Sequence, residues 1–148
     1  MKHFFYLILP FFCMLCSFIS CADDNEEATD NIISKFEGKW CVTNTYYGPE
    51  YSTLDLAKYV GAYWSVSRDN TYTLYKTSND VTGTFADGVL NANNIEWQQT
   101  TSNFTPTAKS LDLGLFKGDY EFVDADRFYL YKQDGERLTF SRIKNIKQ

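Results

Sequence analysis

Phe36-Glu37-Gly38-Lys39-Trp40 opens the folded part of the chain, and Cys41–Tyr47 follows it with apolar and polar residues in alternation. Alternation at period two sends successive side chains to opposite faces of a strand. The same pattern recurs to the C-terminus in short runs bounded by turn residues. It predicts strands near 39–47, 62–68, 71–77, 81–86, 94–101, 118–124, 126–132 and 136–143. Asp69-Asn70, Asp87-Gly88 and Asp134-Gly135 are turn signals, since Asn and Gly accept the positive φ of tight hairpin turns. Sequential antiparallel strands without long helices predict an all-β chain, an eight-stranded up-and-down barrel with short helical turns. A sandwich of two sheets is the competing fold.

Ahead of this stretch the chain reads as leader and tether. Met1-Lys2-His3 is a positively charged start, and Phe4–Ile19 is apolar but interrupted by Pro10. That run is shorter than a spanning helix and fits a signal peptide. Phe18-Ile19-Ser20-Cys21 is similar to a bacterial lipobox, in which the cysteine is acylated. The expected organisation is therefore a signal peptide at 1–20, a lipidated Cys21 with an acidic tether over 21–31, and a β-barrel domain over 32–148. The alternative is a secreted protein cut near Ser20 or Ala22. Ala22-Asp23-Asp24-Asn25-Glu26-Glu27 resembles the acidic export signal of Bacteroidetes-type lipoproteins. The resemblance implies an outer-membrane, lipid-anchored location, exposed at the cell surface.

Composition narrows the chemistry. The chain has 148 residues, 18% aromatic, with a net charge of −5, ample apolar area for one domain. An acidic domain without a basic stripe argues against nucleic acid as partner. The single histidine is His3, in the leader, so the processed domain lacks an imidazole for base catalysis or metal ligation. Of the four cysteines, Cys13 and Cys16 leave with the leader and Cys21 takes lipid, so Cys41 is a lone thiol, read as a packing residue. No nucleotide, flavin or metal motif is present. No cofactor, no metal and no catalytic residues are expected, and the chain is read as a non-enzyme.

Phe36-x-Gly38-x-Trp40 resembles the opening motif of the lipocalin-like barrels. Gly118-Asp119-Tyr120 resembles their second motif, T-D-Y, with Gly in place of Thr. The resemblance covers residues 32–144 and implies a closed end formed by Phe36, Gly38 and Trp40, with Arg142 stacked across the indole. It also implies an open mouth for a small apolar or aromatic ligand or a glycan fragment.

Taking Trp40 as inward, strand parity predicts an interior of Trp40, Val42, Trp64, Val66, Tyr72, Leu74, Phe85, Ile95, Trp97, Tyr120, Phe122, Phe128, Leu130, Leu138 and Phe140. So many rings leave two outcomes open, a filled core or a cavity near the mouth. The long connections 48–61 and 102–117 are both placed at the mouth, the first with a short helix over 52–60. Tyr46, Tyr51, Tyr59, Trp64 and Trp97 are the candidate ligand-binding residues there, because amphipathic rings at a rim suit recognition. The alternative function is a filled barrel that acts through a protein partner.

Overall fold

The computed structural model describes residues 24–47, 54–55 and 60–148. Helix α1 (Asp24–Phe36) leads into β1 (Gly38–Tyr47), followed by β2 (Leu54–Asp55), β3 (Ala62–Ser67), β4 (Thr71–Thr77), β5 (Thr84–Ala86) and β6 (Val89–Asn91). Then come β7 (Trp97–Asn103), β8 (Ser110–Asp112), β9 (Lys117–Asp124), β10 (Arg127–Lys132), β11 (Glu136–Ile143) and β12 (Asn145–Lys147). The all-β class holds. Helix α1 covers residues 24–31, where an acidic tether was expected. Lys35 in its last turn matches the negative end of the helix dipole. Leu54–Asp55 pairs with Asn44–Thr45 as a strand, whereas a helix was expected there.

Eight strands form one curled sheet in the order β7-β4-β3-β1-β11-β10-β9-β8, with β2 paired to β1. All its pairings are antiparallel. The closed barrel expected from the sequence is corrected here: no ladder joins β7 to β8 among the described residues, and the sheet is an open half-barrel. The chain between them explains the gap. Pro106 has no N–H to offer a neighbouring strand, and Thr107 spends its hydroxyl on the local turn to Lys109 and Ser110. Phe104, fully buried, fills the seam with Leu111 and Leu113.

Membership of the wall also differs from expectation. Residues 84–86 leave the wall and form a small sheet with β6 and β12, ordered β12-β6-β5. Asp87 and Gly88, at φ 52 and 80, make the two-residue turn between β5 and β6. Residues 110–112 enter the wall instead, along β9.

Two cores result, one on each face of the sheet. The concave face holds Phe36, Trp40, Trp64, Val66, Tyr72, Phe104, Phe128, Leu130, Leu138 and Phe140. The other face holds Cys41, Val60, Tyr63, Phe85, Leu90, Ala92 and Ile143 beneath the small sheet, with Ile95 and Trp97 packed against them. Phe85, Ile95 and Trp97 therefore lie outside the interior to which parity assigned them. Parity within one strand identifies its apolar face but does not say which sheet that face meets.

Candidate functional site

At the end of the sheet where β3 and β11 begin, a pocket of about 280 Å³ is lined by Val42, Thr45, Ala62, Trp64, Phe116 and Leu138, with Val60, Gly61, Leu115 and Glu136 at its edges. Its wall is mostly apolar. The Trp64 indole N–H donates to Leu113 O at 2.9 Å, which satisfies the one polar atom of that ring and fixes its plane. Phe116 leans on Trp64 at 5.7 Å between centroids, and Phe140 closes the floor behind Trp64 at 5.3 Å.

Thr45 reaches this pocket because of a bulge. The β1–β11 register shifts between Val42 and Asn44, so Thr45 stands opposite Leu138 and Tyr46 opposite Arg137. One extra residue reverses the parity of the strand beyond it. Tyr46, expected at the mouth, is turned to the outer face, where the Arg137 guanidinium lies 4.9 Å from its ring centroid. The rim carries charge as well. Lys132 Nζ bonds Glu136 at 2.5 Å and Asp134 at 2.9 Å. The hydrogen bond to Glu136 first, and that to Asp134 second, hold the Lys132 ammonium above its usual pKa. The Asp134 carboxyl is held below its own.

The opposite end of the sheet is closed by α1. Phe36 meets Phe104, Tyr120, Phe122 and Phe128 with centroids 4.9–5.4 Å away. The Trp40 indole N–H donates to Phe36 O at 2.6 Å. Arg142 lies over Trp40, its guanidinium carbon 4.2 Å from the ring centroid. Its N–H groups donate to the carbonyls of Lys35, Glu37 and Ala125. Gly38 has φ 124, and a β-carbon there would stand 2.5 Å from Arg142 Nη1, so glycine is what admits the arginine.

Of the candidate ligand-binding residues, Trp64 alone among those described lines the pocket. Trp97 packs edge-on against Tyr63 at 5.0 Å on the other face of the sheet. Tyr51 and Tyr59 lie outside the described residues, as does Cys21. Thr45, Phe116 and Glu136 were missed. The bulge hid the first, and the connection 102–117 hid the second. That connection does not lie wholly at the mouth: residues 104–109 begin beside Asn70, at the closed end, and 113–116 reach the pocket. The long excursion 78–96, which carries the small sheet, leaves from the mouth end instead.

No protein-family model and no curated protein matches this chain. Among solved structures it is similar to an uncharacterized protein from Bacteroides eggerthii, at 8% identity and a TM-score of 0.48, over 72% of this chain and 98% of that one.

Proposed function

We propose that this protein is a lipid-anchored surface lipoprotein of the outer membrane with a lipocalin-like half-barrel, a non-catalytic module that binds a small apolar or aromatic ligand, or a glycan fragment. The pocket at Trp64 carries this reading. It is concave and apolar, with few polar groups, which is the usual character of small-ligand sites. Its volume fits one ring or a short chain. Acylation at Cys21 would place the anchor before α1, and α1 enters the sheet at the end opposite the pocket. The mouth then faces away from the membrane.

A fluorescence titration tests the proposal. Single-ring aromatics, short fatty acids and oligosaccharides are added to the intact chain and to Trp64→Phe. At least one probe is expected to shift the emission of the intact chain and leave that of Trp64→Phe unchanged. Silence across the whole panel would mean that the protein is no such module. The second reading, a filled half-barrel acting through a protein partner, is favoured by the dense ring packing below Trp64, where Phe128 and Phe140 stack at 4.7 Å.

A further inference from the structure

The outer face of β1, β11 and β10 carries a feature that the pocket does not use. Arg137 is directly opposite Tyr46 on one side and Tyr131 on the other. Its guanidinium lies 4.4 Å from the Tyr129 ring centroid and 4.9 Å from that of Tyr46, so two rings clamp it. Among the described residues no carboxylate pairs with it. Its Nε is buried and has no acceptor. The charge is held by two rings rather than by a carboxylate, which leaves the guanidinium able to take an acidic group from outside the fold. The neighbouring carboxylate is otherwise engaged: Glu121 accepts the Tyr131 hydroxyl at 2.9 Å. Tyr131 is 40% exposed and stands nearly edge-on to Tyr129, at 75°.

We propose that Arg137, clamped by Tyr46 and Tyr129 and flanked by Tyr131, is a second binding site, for a carboxylate-bearing sugar of an acidic glycan. The planar guanidinium matches a carboxylate through paired N–H donors. The exposed Tyr131 ring offers a flat apolar surface to the C–H face of a pyranose. Glu121 Oε1, the oxygen that the Tyr131 hydroxyl does not use, is left to accept from a sugar hydroxyl. An acidic peptide fits the same surface less well, because it brings no C–H face of a sugar ring for Tyr131 to cover.

Calorimetric titration of the full chain with trigalacturonate tests the site, with the carboxyl-reduced neutral trimer and hexaglutamate as the other arms. Trigalacturonate is expected to bind at least about tenfold more tightly than either, the scale of a charge-assisted hydrogen bond. Arg137→Gln should abolish that preference, and Arg137→Lys should restore only part of it. Tyr131→Ala, at an exposed ring, should weaken trigalacturonate binding, and it carries the test if Arg137→Gln does not fold. The proposal is overturned if trigalacturonate does not bind at millimolar concentration, if the neutral trimer or hexaglutamate binds equally well, or if these variants bind trigalacturonate as the parent does.

Discussion

The guanidinium of Arg142 serves three backbone carbonyls and one indole at once. Those carbonyls belong to the end of α1, to the link before β1 and to the β9–β10 turn, so one side chain ties three segments to β11. Asp126 adds a carboxylate at 3.3 Å. Trp40 is the platform beneath, 1% exposed, and its N–H is spent on Phe36 O. Trp40→Ala removes the platform, the hydrogen bond and the edge contact with Phe128 together. It should cost ~3–5 kcal/mol, as for other large-to-small core changes, when read as a fall in the urea midpoint. Ligand preference at the Trp64 pocket should stay as it is, since the two sites are at opposite ends of the sheet. A changed preference with unchanged stability would place the pocket at the wrong end.

At the scale of elements, glycine separates this chain from the motif that it resembles. Gly118 lies opposite Lys132 in the β9–β10 ladder, so close to β10 that a β-carbon there would collide with the Tyr131 backbone carbonyl. Gly118→Thr, which writes the lipocalin-like T-D-Y into β9, should therefore force β9 off β10. The loss should be at the high end of single substitutions, about 4 kcal/mol or more, seen in thermal or urea unfolding. An unchanged midpoint would show that the ladder runs elsewhere. The ladder around Gly118 also shows what was legible in the sequence. Strands β1, β3, β4, β9, β10 and β11 were readable because alternation and turn residues are local properties. The pairing of β12 with β6 was not, because it is parallel and joins residues 145–147 to residues 89–91. Nor was the bulge after Val42, which no residue type announces and which moved Tyr46 out of the site and Thr45 into it. Trp64 was legible as a pocket residue because nothing interrupts the parity of β3. Phe116 was not, because it lies in a turn, where period two does not apply.

The molecule as a whole is a sheet with apolar groups on both faces, and the second face makes its stability depend on pH. Burial beneath the small sheet pushes the Cys41 thiol from 9.0 up to about 12. The Tyr63 phenol rises from 10.0 to about 12, by burial first and by Tyr75 second, whose ring stacks on it at 4.4 Å. Both groups are neutral when protonated, so the folded state holds their protons to higher pH than the unfolded chain does. Above pH 9 the unfolded chain therefore binds fewer protons, and stability must fall with rising pH. The contribution is complete below pH 9 and is lost as pH climbs toward 12. Unfolding midpoints in urea should be level from pH 7 to pH 8.5 and decline by pH 10.5. Tyr63→Phe, which keeps the ring and removes the ionisable group, should make that decline shallower. A level profile through pH 10.5 would mean that water reaches this face and that the small sheet does not seal it. On the concave face burial also raises the Tyr120 phenol, so the part of the decline that Tyr63→Phe removes is what reports the outer core.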